Sequence, residues 1–267
     1  MTIRLIATDL DGTFVDPLGE VSELNRRAVA LAAREGVPVV VATGRPSRWL
    51  QVLDDLPGVH PEVVVSNGAG VFDLREHRHT VTHSLDADLA LEVAHDLRAA
   101  IPGTVFAFEW GQHFGCEPQL QQEKGPWLTV GELPDLARRD EPVLKLCAFH
   151  AELDSDALAL QGADVVGDRL TLTHSHLGEY GLLEISAPGV TKASGLAGLC
   201  RDLGVDAADV AAFGDMPNDL QMLAWSGHPY AIEAGHPLLL EAGFGTAGGP
   251  QPEAVGSVIL QLLDAGR

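Results

Sequence analysis

The chain has 267 residues, 46% hydrophobic and 21% charged, which is enough for one large or two moderate domains and excludes a mainly disordered chain. Its 38 acidic and 17 basic residues give a formal net charge of −21. Such a surface repels phosphate backbones and anionic headgroups, so neither nucleic acid nor a membrane is an expected partner.

Ile3 to Leu10 reads as a short buried strand closed by Asp-Gly. Ser22 is placed as an N-cap, Leu24, Ala28, Leu31 and Ala32 recur at helical spacing, and Gly36 supplies a stop. Val37 to Ala42 is a second strand, and Pro46 opens a predicted helix to Leu53. Val63 to Val65 is a third strand, ending in Ser66-Asn67-Gly68. This strand–helix alternation predicts a parallel sheet covered on both faces.

The rhythm changes near Leu74. An extended segment is expected over 77–83, an amphipathic helix over 86–101, and strands over 105–109, 143–149 and 170–174, while 111–140 resists assignment. Doubly wound character is expected again at 182–186, followed by a helix over 191–203, a strand over 210–213 and helices over 218–225 and 252–263. The fold class is therefore α/β: a doubly wound, Rossmann-like parallel core of residues 1–84 and 181–267, with residues 85–180 inserted as an α/β cap.

Open parallel sheets bind ligands beyond the carboxyl ends of their strands, and four polar clusters fall at predicted strand or helix ends: Asp9-Leu10-Asp11-Gly12-Thr13, Thr43-Gly44-Arg45, Lys192, and Gly214-Asp215 through Asn218-Asp219. Converging carboxylates repel one another unless a cation sits among them, and hard oxygen donors favour magnesium. Asp9 and Asp11, two apart, can divide nucleophilic and acid/base work. The Thr43 hydroxyl, helix N-terminal N–H groups and the Lys192 ammonium suit a phosphoryl group, supplying the local counter-charge that the −21 balance requires.

In this order the motifs resemble those of the haloacid dehalogenase superfamily, and their detail resembles its Cof-type phosphatases with a class IIB cap. Asp9-Leu-Asp-Gly-Thr is similar to the first motif, Thr43 to the second, Lys192 in Val-Thr-Lys-Ala-Ser-Gly to the third, and Gly214-Asp215 through Asn218-Asp219 to the fourth. Ser66-Asn67-Gly68-Ala69 and Leu183-Glu184-Ile185 also look like sequence of that group. The resemblance implies that Asp9 attacks phosphorus to give an aspartyl-phosphate while Asp11 protonates the leaving oxygen and then activates water. It also implies that Asp9, the Asp11 carbonyl and Asp215 hold magnesium, with Asp219 supporting the metal or Lys192. Thr13, Thr43, Gly44, Lys192 and Asn218 would bind phosphate. Only about 34 residues separate Asp9 from Thr43, room for one crossover of at least ~10–12 residues and no cap, so the cap falls between Thr43 and Lys192.

The expected function is a magnesium-dependent phosphatase acting on a small phosphorylated metabolite such as a sugar phosphate or phosphorylated cofactor; a phosphomutase and a non-catalytic phosphometabolite binder are the alternatives. Arg45 reads either as a substrate contact or as a partner for a nearby carboxylate, and Asn67 as a site residue or only the shaper of an Asn-Gly turn. Within the insert, Glu109, Trp110, His113, Lys145, Arg169, His174 and His176 are candidate specificity groups; His174 and His176 share a strand face, but without a third ligand a solvated face is expected. Gly243 to Gly248 spells a dinucleotide fingerprint, yet a helical pattern precedes it and no βαβ unit is expected around it. The three cysteines, Cys116, Cys147 and Cys200, form no CxxC pair and read as buried or free thiols. No signal segment precedes the early carboxylates and no run of about 18 apolar residues occurs. The expected location is the cytoplasm, with no obligate protein partner.

Overall fold

The structure, a computed structural model, describes residues 3–120, 125–249 and 253–266. The chain begins with β1 (Leu5–Thr8), α1 (Glu23–Arg34), β2 (Val39–Val41), β3 (Glu62–Val65), β4 (Gly70–Asp73) and β5 (Arg78–Val81). The middle holds α2 (Ala87–Ala100), β6 (Val105–Glu109), β7 (Phe114–Cys116), β8 (Leu128–Val130), α3 (Leu133–Leu136), β9 (Lys145–His150), α4 (Ser155–Val166), β10 (Thr171–Thr173) and β11 (Gly181–Ser186). The chain ends with α5 (Lys192–Leu203), β12 (Val210–Gly214), α6 (Leu220–Trp225), β13 (His228–Ile232), α7 (Pro237–Glu241), β14 (Gly245–Ala247) and α8 (Glu253–Ala265).

The core sheet is parallel, in the order β14-β13-β12-β1-β2, with β3 joined to β2 through the parallel bridge Ala42↔Val64. Its strands are apolar on both faces because both are covered. Ile6, Val39, Val41 and Phe213 pack with Ala28, Val29 and Ala32 of α1 and Val255 and Ile259 of α8. Leu5, Ala7, Val40 and Ala212 face Leu196 and Leu199 of α5 and Met222 and Leu223 of α6. Register then fixes the site: Thr8 pairs with both Val41 and Phe213, so Asp9, Thr43 and Asp215 leave three adjacent strands at one edge.

The inserted sheet has the order β10-β11-β9-β6-β7-β8. Period-two alternation divides its faces. Phe106, Phe108, Leu146, Ala148, Leu183 and Ile185 pack under Val93 and Leu97 of α2 and Leu158 of α4. The opposite side chains, Glu109, Lys145, Cys147, Phe149, Leu182 and Glu184, line a cleft against the core.

Three local expectations differ from the structure. Residues 182–186 were expected in the core sheet, but β11 pairs antiparallel with β9 and β10 of the insert; an apolar run of this kind suits either sheet, and the pairing carries the insert through Ser186. Residues 46–53 form two 3-10 turns, Ser47–Trp49 and Gln51–Leu53, because Ser47, Leu50, Leu53 and Leu56 are all buried and a spacing of three aligns on a 3-10 helix. The third strand, β3, joins the core through the bridge Ala42↔Val64 and forms an antiparallel sheet with β4 and β5. The fingerprint-like segment contains edge strand β14, paired parallel with β13. Pro252 lies outside the described residues. Cys116, Cys147 and Cys200 are free and buried, and among the described residues no helix is long and apolar enough to cross a membrane.

Candidate active site

Asp9 follows β1 and is buried; its Oδ1 accepts a 2.5 Å hydrogen bond from Lys192 Nζ. Lys192 is the first residue of α5, whose N-cap Thr191 exchanges a capping box with Ser194. Its ammonium also donates to Asp219 Oδ1 at 2.7 Å. The other oxygen of Asp219 accepts the backbone N–H groups of Asp215 and Met216, both at 3.1 Å, so this carboxylate props the loop after β12 and holds the lysine. Thr13 Oγ1 donates to Asp215 Oδ1 at 2.6 Å. Asp215 stands so close to the turn after β1 that a Cβ on Gly12 would lie 2.3 Å from its Oδ2. Gly12 also has φ of +75°, a conformation glycine adopts without steric cost.

Asp9, Asp215 and Asp219 offer carboxylate oxygens that all lie within 4.8 Å of one another, opposed by one ammonium. Burial pushes the Asp9 carboxyl well up, with Asp219 and Asp215 adding to the rise against Lys192. Burial and then Asp219 raise Asp215 to about 7. Burial alone would lower Lys192, but Asp219 and Asp9 outweigh it and raise it. A crowded all-oxygen set with surplus negative charge fits a hard divalent cation.

Asp11 stands apart from this cluster. Its half-exposed carboxylate is gripped by Arg45, Nε to Oδ2 at 2.8 Å and Nη2 to Oδ1 at 2.6 Å, so Arg45 pairs with a carboxylate. Thr43 is buried, and its Oγ1 accepts the Arg45 N–H at 3.0 Å. Asn218 Nδ2 donates to Asn67 Oδ1 at 3.1 Å. Ser66 and Asn67, both buried, have φ of 50° and 56°, a left-handed pair that costs backbone strain and clusters at functional sites. The Asn-Gly dipeptide hints at this turn, but Ser66 gives no such signal.

Asp9, Asp11, Thr43, Gly44 and Asn218 open into a cleft of about 670 Å³ between core and insert. From the insert, Lys145 donates to the Gly44 carbonyl at 2.8 Å and pairs with Glu184. Burial pushes the Glu184 carboxyl up, but Lys145 and Ser175 outweigh it and hold it low. From the core, Arg48 donates to Glu109 Oε1 at 2.7 Å and to the Gly111 carbonyl at 2.9 Å; burial raises Glu109 against the pull of Arg48.

Among the candidate specificity groups, Glu109, Lys145 and His176 line the cleft. Trp110 is buried beside Phe108, His113 pairs with Glu141, and Arg169 with Glu92 and Asp96. His174 was expected on a solvated face; it is buried, and with His236 of the core it meets Asp156. Sequence reasoning passed over Arg48, Trp49, Phe114, Tyr180 and Glu184 as cleft residues. Glu184 alone carried a signal, an acid at an otherwise apolar strand centre.

A family model described as haloacid dehalogenase-like hydrolase matches residues 6–246. The chain is 28% identical to the 5-amino-6-(5-phospho-D-ribitylamino)uracil phosphatase YbjI of Escherichia coli, over 98% of this chain and 97% of the relative. It is 30% identical to the HMP-PP phosphatase of Serratia proteamaculans, over 84% and 82%. Among solved structures, SMU.1108c from Streptococcus mutans superposes with a TM-score of 0.82 at 20% identity, covering 98% of this chain and 100% of that one. The haloacid dehalogenase subclass IIB sugar phosphatase BT4131 does so at 0.80 and 14%, covering 97% and 98%.

Proposed function

The chain belongs to the haloacid dehalogenase-like hydrolases and is a phosphatase, and from that premise we propose that it hydrolyses a small phosphate monoester, a sugar phosphate or phosphorylated cofactor, with magnesium and Asp9 as nucleophile. The observation that carries this reading is the position of Asp9: buried at a strand end, bonded to Lys192, beside Asp215 and Asp219, and lining the cleft.

Asp9 attacks phosphorus, the bond from phosphorus to the ester oxygen breaks, and Asp11 gives that oxygen its proton. Water then loses a proton to Asp11 and attacks the aspartyl-phosphate, releasing phosphate and restoring Asp9. Lys192 neutralises Asp9 and the phosphoryl oxygens, and Thr13, Thr43, Gly44 and Asn218 complete the phosphate pocket. Arg45 steadies Asp11. The carboxylates of Asp9 and Asp215 and the main-chain carbonyl of Asp11 would hold magnesium, which when bound offsets charge on the phosphoryl group. Asp219, with one oxygen on Lys192 and the other on two N–H groups, supports rather than ligates. The insert, residues 85–180 together with β11, closes the cleft and selects the leaving group.

The test is inorganic phosphate release from a panel of phosphorylated sugars and cofactors, in magnesium or chelator, by wild type and Asp9→Asn. Magnesium-dependent release that falls at least ~10³-fold in the variant is expected; equal release by the variant would refute Asp9 as nucleophile, and equal release in chelator would refute the metal.

A further inference from the structure

The loop that carries Asp215 is tied down from three directions. Thr13 Oγ1 holds its carboxylate at 2.6 Å, and Asp219 Oδ2 accepts the N–H groups of Asp215 and Met216. From the third side, the His236 N–H donates to the Asp215 carbonyl at 2.7 Å. The peptide unit joining Asp215 to Met216 is therefore bonded at both its carbonyl and its N–H, which holds the Asp215 backbone torsion that aims its carboxylate. The packing is equally close: a Cβ on Gly235 would lie 2.8 Å from the same carbonyl oxygen and 2.9 Å from that of Ile232, so the chain before His236 is seated directly on the Asp215 loop.

The His236 ring is held in turn by the insert. It is buried, and its Nε2 donates to both oxygens of Asp156, at 3.1 and 3.0 Å. Its Nδ1 accepts the Leu238 N–H at 3.3 Å as the N-cap of α7, and that acceptor role places the ring proton on Nε2. Asp156 lies in the first turn of α4, 80 positions away. His174, buried after β10, brings its Nε2 to 3.1 Å from Asp156 Oδ1. A carboxylate of the insert is thus set between two buried imidazoles, one from its own domain and one from the core. Asp156, His236 and the Asp215 carbonyl form a continuous chain of hydrogen bonds from the insert to the carboxylate cluster, and neither Asp156 nor His236 lines the cleft.

We propose that Asp156 and His236 are positioning residues for phosphoryl transfer: when the insert docks, Asp156 grips the His236 ring, and the His236 N–H sets the Asp215 peptide so that its carboxylate is aimed for magnesium. Docking of the insert and metal binding at Asp215 are in this way linked. This rests on the magnesium-dependent phosphatase reading of the same site.

Two variants break the chain at different points. Asp156→Ala removes the grip, and His236→Asn removes it while keeping an oxygen to cap α7, since asparagine is a good N-cap but is too short to reach Asp156; the second keeps the test where the first folds poorly. Each should weaken magnesium binding, read by titration calorimetry without substrate, by at least ~5-fold. In chelator, the His236 amide should exchange with deuterium at least ~10-fold faster in Asp156→Ala. The magnesium concentration that half-activates phosphate release should rise with the calorimetric value, while KM for the ester at saturating magnesium stays within about 2-fold of wild type. The double variant should bind magnesium no more weakly than the weaker single one. Asp154→Ala is the control: it removes the cap on the Ala157 N–H of α4 and should lower the thermal midpoint with magnesium affinity unchanged. Wild-type magnesium affinity in both single variants, or losses that add in the double variant, would overturn the proposal. A raised KM with magnesium affinity intact would make the contact a gate for substrate and overturn it as well. A wild type that binds magnesium but releases phosphate from no ester would overturn the phosphatase reading and leave the proposal to the calorimetry; one that does not bind magnesium would overturn both.

Discussion

Asp215→Asn should make the metal-free protein more stable at neutral and alkaline pH, although it removes a site carboxylate. The Asp215 carboxyl is raised to about 7 by burial and by Asp219, against an ordinary value of about 3.8 in the unfolded chain. A raised folded value means that the native state holds a proton which the unfolded state has already released. The resulting penalty is absent below the unfolded value, grows as pH rises, and is complete above the folded one. A gap of about 3 units corresponds to roughly 4 kcal/mol at pH 8 and about 2 kcal/mol at pH 5. Asparagine keeps an oxygen for the Thr13 hydroxyl, so the native contact at 2.6 Å survives while the charge does not. Urea midpoints of wild type and variant from pH 5 to 8 in chelator should therefore diverge with rising pH, the variant ahead. Saturating magnesium should reverse the order, since binding to the native state stabilises only a protein that retains its ligands. A variant less stable than wild type in chelator at pH 8 would refute the charge-crowding account of the site.

Two further substitutions probe the same cluster. Lys192→Met strips the ammonium from Asp9 and Asp219 and should cost about 3–5 kcal/mol in chelator, read as a thermal midpoint lower by roughly 10 °C; an unchanged midpoint would contradict a buried ion pair there. Gly12→Ala combines a φ of +75° with a Cβ placed 2.3 Å from Asp215 Oδ2. The backbone term is about 1–2 kcal/mol, but displacing Asp215 should cut kcat by roughly 10²-fold, so stability assays and initial rates should show a mild loss beside a severe one.

The parallel core was legible because its signals are local: apolar strands that end in carboxylates, Ser22 as a cap that accepts the Asn25 N–H, and Gly36 at φ +77°. The placing of Asp9, Asp215 and Asp219 together was legible for the same reason, since in a parallel sheet every strand carries its end to one edge; Lys192, which opens α5 after insert strand β11, was legible only from the motif Val-Thr-Lys-Ala-Ser-Gly around it. What could not be read was pairing across distance. Strand β11 is apolar in either sheet, and only its register with Leu146 and Cys147 assigns it to the insert. Arg48 reaches Glu109 across 61 positions of sequence, and nothing near either residue announces the other. Asp11 was legible too: two positions from Asp9, it lines the same cleft, and Arg45 holds it, one of the two readings open for that residue.

A chain of net charge −21 that binds a phosphate dianion has to separate long-range from short-range electrostatics. The cation placed at the phosphoryl group, Lys192, is buried, and the cleft cations Arg45, Arg48 and Lys145 are each paired with a carboxylate. They therefore act within contact distance and project little field into solvent. The acidic surface does project one, over about 10 Å at 0.1 M salt and about 30 Å at 0.01 M, and it opposes the approach of the substrate. Added sodium chloride at saturating magnesium should thus raise kcat/KM between about 10 and 150 mM ionic strength, by a few-fold, where an enzyme with an outwardly basic cleft would lose rate. The change should lie in KM, since phosphoryl transfer takes place against paired, buried groups that salt screens weakly. A kcat/KM that falls with salt would mean that the cleft attracts its substrate from a distance, and would place an unpaired cation at its mouth.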